Sequence, residues 1–441
     1  MSATRNIGAR TAGDSYLPAS GNGGYSVSSY AIDLRYKVAT NRLDATATIV
    51  AVSTQPLARF TLDLSRLQAS RVRVDGRKAT FAHSPGKLAV TPGSIIPEGA
   101  TFTIVIDYSG SPAPRRSAWG LVGWEELADG VIVASQPSGA PTWFPCNDHP
   151  ADKAGYTIRV TTEQAYTVVC NGSLTSHTVA SGRGTWVFEQ SEPTSTYLAT
   201  VQIGRYLTAP VDLSGVAGTF SFPHELEARV RHDFDQLPAM MGYFERVFGP
   251  YPFAGYTAVV TPDELEIPLE AQGLAIFGAN HVDGDRGSER LIAHELAHQW
   301  FGNSVGLAAW QHIWLNEGFA CYAEWLWSEE RGSTSADSLA RSARARLASL
   351  PADILVGDPG PTDMFDDRVY KRGAVALHAL RIELGDDAFF AVVREWTSTH
   401  RHATVSTSDF LDIVGAPGAA LLSSWLFSLP VPELPRRRQR R

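Results

Sequence analysis

The sequence predicts an α+β protein of two domains, with a β domain of sandwich or saddle type followed by a mainly α-helical domain. Three observations support this prediction. A chain of 441 residues has room for two or three domains. Short alternating or β-branched runs fill residues 25–206. Helical periodicity then dominates from about residue 233.

The predicted β domain covers residues 25–206. Its strand-like runs include residues 45–52, 60–64, 102–108 and 131–134. Turn signals such as Asp75-Gly76 and Pro92-Gly93 separate these runs. The preceding residues, 1–24, are polar and rich in Gly and Ser, so we expect a flexible N-terminal segment.

The predicted helical domain covers residues 207–430. Its main helices are predicted at residues 233–248, 288–301, 317–327, 335–350, 369–384, 387–396 and 408–414. Residues 431–441 follow several prolines and end in a run of arginines. We expect a solvated basic tail there, whose removal leaves the function intact.

Composition narrows the class of protein. A hydrophobic content of 44% and a charged content of 19% are ordinary for a soluble globular protein. The formal net charge of -8 argues against a general nucleic-acid binder. We find neither a signal peptide nor an apolar run long enough for a transmembrane helix. Cys146, Cys170 and Cys321 are too scattered for a disulfide framework, so we expect reduced thiols and a cytoplasmic location.

The most informative motif is His294-Glu295-Leu296-Ala297-His298. It lies in an apolar stretch with helical spacing, and histidines four residues apart project from one face of a helix. They can therefore bind the same metal ion. Burying two histidines and a glutamate in an apolar helix is costly unless a metal or partner compensates them.

A second helical run opens around Glu317, which can face the first helix and supply a third ligand. One Zn²⁺ held by two imidazoles and one carboxylate keeps a position open for water. Glu295, beside the first ligand, is placed to take a proton from that water. The alternative is a histidine pair satisfied within the core and an unrelated surface glutamate.

Several stretches resemble the gluzincin aminopeptidases, the family of aminopeptidase N and leukotriene hydrolase. They are His-Glu-Leu-Ala-His-Gln-Trp-Phe-Gly-Asn from residue 294, Trp-Leu-Asn-Glu-Gly-Phe-Ala from residue 314, Phe-Gly-Pro-Tyr-Pro-Phe from residue 248 and Phe-Pro-Cys-Asn-Asp-His-Pro from residue 144. The likeness spans about residues 20–430. It implies a thermolysin-like zinc catalytic domain in the second half, with one zinc ion.

Many members of that family carry a further large helical domain that covers the active site. This chain stops where that domain would begin, so we expect a short form of the family. The resemblance then implies a more open site and weaker discrimination by peptide length.

The resemblance also implies how substrate is held. Residues 267–271, Ile-Pro-Leu-Glu-Ala, align with the exopeptidase motif G-x-M-E-N and retain its glutamate as Glu270. Such a carboxylate binds the α-ammonium of a peptide by a charge-assisted hydrogen bond. Gln136 matches a glutamine that lines the first substrate pocket. The arginine that usually follows it is replaced here by Thr142-Trp143.

Two further roles concern the oxyanion, for which the resemblance points to a residue, and the orientation of an imidazole, for which helical spacing does. The family stabilises the oxyanion with a tyrosine downstream of the third ligand, and Tyr370 matches its sequence context better than Tyr322. Glu324 lies on the same helical face as Glu317 and can orient a metal-bound imidazole. A solvated or structural glutamate is the alternative for Glu324.

Together these features predict a zinc aminopeptidase that acts on peptides with a free N-terminus. Neither nucleic acid nor membrane is an expected partner, and the oligomeric state is not readable from the sequence. Three alternatives stay open: a thermolysin-type endopeptidase, a hydrolase of a non-peptide substrate such as a lipid epoxide, and a metal-free binding scaffold.

Overall fold

The N-terminal part of the structure, a computed structural model that describes residues 6–436, is built almost entirely from β-strands. The strands are β1 (Tyr25–Lys37), β2 (Arg42–Ser53), β3 (Phe60–Asp63), β4 (Gln68–Val74), β5 (Arg77–Lys78), β6 (Thr80–Ser84), β7 (Lys87–Thr91), β8 (Thr101–Gly110), β9 (Arg115–Ser117), β10 (Gly120–Leu127), β11 (Gly130–Ala134), β12 (Ala154–Glu163), β13 (Thr167–Cys170), β14 (Ser173–Ala180), β15 (Arg183–Thr194) and β16 (Val201–Gly204).

These strands form three sheets around one core. The largest sheet has eight strands in the order β14-β15-β12-β1-β2-β8-β4-β5, and a five-stranded sheet has the order β13-β16-β11-β10-β9. A three-stranded sheet, β3-β7-β6, completes the domain. Strand β1 shows why they pack, because Tyr30, Ile32 and Leu34 alternate with outward-facing residues and are buried. Side chains from all three sheets share this core.

The second domain combines helices with a mixed five-stranded sheet of order β17-β18-β19-β21-β20. Its strands are β17 (Tyr206–Leu213), β18 (Val216–Pro223), β19 (Gly255–Val260), β20 (Leu269–Ala271) and β21 (Leu274–Phe277), with a small pair β22 (Gly306–Leu307) and β23 (Thr404–Val405). Its helices are α1 (Glu227–Asp233), α2 (Leu237–Phe248), α3 (Glu289–Ala297), α4 (Trp314–Glu330), α5 (Ala336–Ala348), α6 (Asp367–Leu384), α7 (Asp386–Thr399) and α8 (Thr407–Leu426). The predicted fold class is confirmed.

Three local predictions differ from the structure. The helix predicted over residues 233–248 begins only at residue 237 as α2, because residue 233 ends the preceding helix α1 and Pro238 suits the first turn of a new helix. The last helix continues past residue 414, but its backbone is non-helical at Gly415, so α8 consists of two pieces joined at a kink. The β17–β18 hairpin was not predicted, since β17 is mostly exposed and lacks a clear apolar alternation.

The N-terminal segment was predicted to be flexible, but residues 6–24 make defined contacts with both domains. Gly8 donates its backbone N–H to Arg59 O at 2.8 Å in the β domain. Asp14 accepts the backbone N–H of Trp310 at 3.0 Å, and the Tyr16 hydroxyl accepts that of Gly360 at 2.7 Å. The flexible assignment is therefore wrong for these residues, because their polar side chains find partners on the second domain.

The basic tail was predicted over residues 431–441, of which residues 437–441 lie outside the described residues. In the described part the solvated tail is not found at its start, because Val431 and Leu434 pack against the core and Arg344 donates to Pro432 O at 3.1 Å. Within residues 6–436, none of the helices combines the length and the hydropathy needed to cross a membrane.

Candidate metal centre and active site

Three buried side chains from two helices converge on one point. His294 lies in the last turn of α3, His298 caps the same helix, and Glu317 lies in the first turn of α4. The Nε2 atoms of His294 and His298 lie 3.5 and 3.4 Å from Glu317 Oε2. The potential ligand atoms of all three residues lie within 4.8 Å of one another. This arrangement suits a single metal ion.

Hydrogen bonds fix the orientation of both imidazole rings. His294 Nδ1 lies 2.8 Å from Glu324 Oε1, and His298 Nδ1 lies 3.0 Å from Phe301 O. With Nδ1 engaged, the Nε2 atom of each ring remains for a metal. Arg290 donates to the second oxygen of Glu324 at 3.2 Å, so this carboxylate is held from both sides.

The carboxylates around His294 and His298 favour positive charge on both imidazole rings. Burial alone would lower the pKa of both histidines, but Glu317 and other nearby carboxylates raise it to about 10 for His294 and about 9 for His298. Burial would raise the pKa of Glu317, yet the two histidines lower it to about 2. A divalent cation supplies the same charge and leaves both imidazoles neutral, as ligands must be. The donor set therefore fits Zn²⁺.

Glu295 lies beside the ligands, and its Oε2 is buried without a hydrogen-bond partner among the described residues. Burial raises its pKa to about 7, and the two histidines only partly oppose that rise. A carboxylate with a pKa near neutrality is well suited to accept a proton and release it again.

Glu270 and Gln136 meet across the domain boundary. Glu270 lies on the edge strand β20, and Gln136 follows β11 of the β domain. Gln136 Nε2 donates to Glu270 Oε1 at 2.6 Å. One potential ligand atom from each of Glu270, Glu295 and His298 lies within 4.8 Å of the others. Burial raises the pKa of Glu270, with a further contribution from Glu317.

Tyr370, in the first turns of α6, stacks with the ring of His294. Its ring centroid lies 6.2 Å from that of His294, with an angle of 14° between the planes. Burial and the neighbouring carboxylates raise the pKa of Tyr370 well above its usual value, so its hydroxyl stays protonated and can donate. Tyr322, the other tyrosine after Glu317, points into the core, where its hydroxyl pairs with His378 at 3.1 Å.

The sequence did not predict the side chains that hold strand β20. Gln299 Nε2 and Asn303 Nδ2 donate to Ala271 O at 3.1 and 2.9 Å, and Gln299 Oε1 accepts the N–H of Gly273 at 2.8 Å. Both residues lie shortly after His298 in the same motif run, Gln299 directly after it and Asn303 five residues on. That position could have drawn attention to them, but their contacts to β20 depend on the tertiary fold.

Two family descriptions match the chain. The Peptidase M1 N-terminal domain matches residues 26–198, and the Peptidase family M1 domain matches residues 232–425. Endoplasmic reticulum aminopeptidase 1 of Homo sapiens is 27% identical over 407 residues, which cover 83% of this chain and 43% of that protein. Probable aminopeptidase 2 of Sulfurisphaera tokodaii is 25% identical, and the match covers 49% of that protein. The chain thus spans about half the length of these curated relatives.

Solved structures match over nearly the whole chain. A variant of the M1 zinc metallopeptidase of Deinococcus radiodurans, bound to a Tyr-Ser-Ala substrate, is 30% identical with a TM-score of 0.89. The match covers 97% of this chain and 99% of that one. A variant of a two-domain M1 zinc metallopeptidase bound to L-tryptophan is 32% identical with a TM-score of 0.88, covering 96% and 99%.

Proposed function

Because this chain belongs to peptidase family M1, we propose that it is a zinc-dependent aminopeptidase, which hydrolyses the N-terminal peptide bond of peptides. The observation that carries this proposal is Glu270. Its carboxylate lies next to Glu295 and His298 and is braced by Gln136. An anionic anchor at this place serves an enzyme that recognises a free α-ammonium, whereas an endopeptidase gains nothing from it.

His294, His298 and Glu317 would hold one Zn²⁺ in this enzyme. When bound, the ion polarises the scissile carbonyl and makes a water molecule more acidic. The residues around it divide the remaining tasks. Glu324 and the carbonyl of Phe301 keep the two imidazoles in the orientation that presents Nε2.

Glu295 acts as the general base. Its Oε2, which has no hydrogen-bond partner among residues 6–436, accepts the proton of the attacking water, and the same oxygen then delivers a proton to the leaving amine. The pKa of about 7 suits both transfers near neutral pH. Tyr370, protonated beside His294, donates its hydroxyl hydrogen to the developing oxyanion.

Glu270 holds the substrate's α-ammonium, while Gln136 fixes the position of its carboxylate. Because the ammonium anchor lies so close to the base, only the bond after the first residue reaches the reacting position. Cleavage therefore releases one amino acid at a time from peptides with a free N-terminus.

The test is hydrolysis of a panel of aminoacyl-arylamides and their N-acetylated counterparts, with and without a zinc chelator. We expect cleavage of the free-amine substrates alone, abolished by the chelator and restored by added zinc. Equal cleavage of the blocked substrates would remove Glu270 as an anchor and favour an endopeptidase. A zinc-loaded protein that cleaves neither would contradict peptidase activity.

We extend the proposal to organisation and location. Residues 25–206 form the β domain and residues 207–430 the catalytic domain of this enzyme. The three cysteines are free and buried, which is compatible with a reducing cytoplasm. Fractionation of the source cells followed by the arylamide assay would test the location.

A further inference from the structure

The turn after the metal-binding helix, residues 301–304, contacts both parts of the active site. Phe301 O receives His298 Nδ1 at 3.0 Å. Asn303 Nδ2 donates to Ala271 O at 2.9 Å, next to Glu270 on β20. A displacement of this turn would therefore move a metal ligand and the ammonium anchor together.

The β domain holds this turn through Lys153, which directly precedes β12. Lys153 Nζ donates to Asn303 O at 2.9 Å and to Ser304 O at 2.8 Å. Both bonds cross the boundary between the domains. They take up two consecutive carbonyls of the turn, so Lys153 ties the turn to the β domain.

The setting of Lys153 is costly for a lysine. Its ammonium is desolvated, which lowers its pKa to about 7, and no carboxylate among residues 6–436 contributes to that shift. A desolvated ammonium satisfied by carbonyls alone costs stability that an apolar residue would not. Such a cost suggests that the two bonds serve the site rather than the general stability of the fold.

A second side chain of the β domain reaches the same turn. The hydroxyl of the buried Tyr197 lies 3.5 Å from Gly302 O. Each of the four successive carbonyls of residues 301–304 therefore contacts a side chain. The first contacts His298 of the metal-binding helix, and the other three contact Tyr197 or Lys153 of the β domain. The β domain is thus in direct contact with the turn of residues 301–304, which itself contacts the ligand His298.

We propose that Lys153 is a positioning residue, through which the β domain sets the orientation of His298 and the place of the Glu270 strand. This inference rests on the proposed function, because it assigns Lys153 to the same zinc site. It predicts that the domain contact controls zinc affinity and turnover in addition to stability.

Lys153→Met removes both hydrogen bonds while keeping most of the side-chain volume. We expect zinc to bind 10- to 100-fold more weakly, the usual effect of losing a residue that supports a metal ligand. Competition with a chromophoric chelator measures this affinity without any substrate. With saturating zinc, we expect kcat to fall and KM for a free-amine arylamide to rise, because Glu270 shifts as well.

Lys87→Met is the matched control. Lys87 is a buried lysine of the same domain, and its Nζ donates to Gly21 O at 2.6 Å and pairs with Asp63 at 2.6 Å. Both contacts lie far along the chain from the metal ligands. Its loss should lower Tm but leave the zinc Kd and kcat close to those of the unaltered protein.

Lys153→Arg provides the rescue, because a guanidinium can donate to both carbonyls and should recover most of the zinc affinity. A Lys153→Met protein with unaltered zinc Kd and kcat would overturn the proposal. So would an equal loss of zinc affinity in Lys87→Met, or a failure of Lys153→Arg to exceed Lys153→Met. Failure of the proposed function would appear separately, as an unaltered protein that neither binds zinc nor cleaves the arylamides.

Discussion

Glu295 shares a helix with both histidines, yet its environment differs from that of the ligand Glu317. Glu317 lies against two imidazoles, which lower its pKa to about 2 and keep it ionised. The pKa of Glu295 is controlled mainly by burial, which raises it to about 7. The two carboxylates of one site therefore have different roles: Glu317 stays an anion, and Glu295 can accept and release a proton.

Glu295→Gln should keep the metal and lose turnover. The substitution preserves side-chain size and leaves His294, His298 and Glu317 unchanged, so zinc content should stay at one ion per chain. We expect kcat to fall by about 10²- to 10⁴-fold, the usual contribution of a general base. Zinc analysis and arylamide kinetics measure the two effects. The exposed Glu395→Gln is the control, and a zinc-loaded Glu295→Gln enzyme with normal kcat would refute the assignment.

Glu270→Gln should impair binding of the amino terminus more than chemistry. Losing a charge-assisted hydrogen bond costs about 1.5–3 kcal/mol, so kcat/KM for free-amine arylamides should drop roughly 10- to 100-fold. Gln136→Ala should have a smaller effect, because a neutral amide only braces the carboxylate. N-acetylated substrates lack the α-ammonium, so comparison with them separates the loss of the ammonium contact from any general effect on activity. A uniform loss on both substrate types would argue against this role.

Helices α4 and α6 lie close together at Gly318 and Gly373, beside the active site. A Cβ atom added to Gly373 would lie 2.9 Å from Gly318 Cα, and one added to Gly318 would lie 3.1 Å from Gly373 Cα. Gly318 follows the ligand Glu317, and Gly373 lies one helical turn after Tyr370. This contact between two glycines therefore sets the distance between Glu317 and Tyr370.

Gly373→Ala should push α6 away from α4 and displace Tyr370. Overpacking of this kind typically costs about 1–3 kcal/mol of stability. A misplacement of the catalytic group by about 1 Å can cost up to roughly 100-fold in rate. We expect kcat to fall while zinc affinity changes little, because the three ligands lie on α3 and α4. Gly155→Ala, whose methyl meets nothing closer than 3.5 Å, is the control. Unchanged kcat in Gly373→Ala would contradict this view.

The elements also show how far the sequence could predict the site. His294 and His298 lie four residues apart on one helix, so local spacing was enough to place them together. Glu317 lies on a second helix, and the spacing predicted only that it could face the first. The pairing of Gln136 with Glu270 joins residues from different domains, and only the family resemblance pointed to it. Lys153 carries no local pattern at all, because its partners lie in a turn of the other domain.

At the scale of the whole molecule, a buried polar network joins the N-terminal segment to the β domain. Asn22 donates to Asp63, which also pairs with Lys87. Asp148 accepts a hydrogen bond from Thr196 at 2.8 Å, in the chain segment that leads towards the second domain. The other oxygen of Asp148 is buried and has no hydrogen-bond partner among the described residues.

Asp148 should make the stability of the molecule depend on pH. Burial, aided by Asp63, raises its pKa to about 7, against about 3.9 for an unfolded aspartate. Thr196, Arg115 and Lys87 oppose the rise without cancelling it. The folded state therefore binds a proton more tightly than the unfolded state. The free energy of unfolding should fall as pH rises from about 4 through 7, and level off above that range.

Asp148→Asn tests this dependence, because the amide resembles the protonated acid and keeps the acceptor for Thr196. Near pH 4, close to the pKa of an unfolded aspartate, the variant and the unaltered protein should have similar Tm values. By pH 8 the variant should be more stable, by at most about 4 kcal/mol for a pKa difference of about three units. Asp152 and the metal site titrate in both proteins and cancel in the comparison. Asp63 is electrostatically coupled to Asp148, so the difference reports on this pair. Asp44→Asn, an exposed aspartate of the same domain, should show no such divergence. A constant Tm difference across pH 5–8 would mean that Asp148 is ionised throughout, and that the network compensates its charge more fully than burial opposes it.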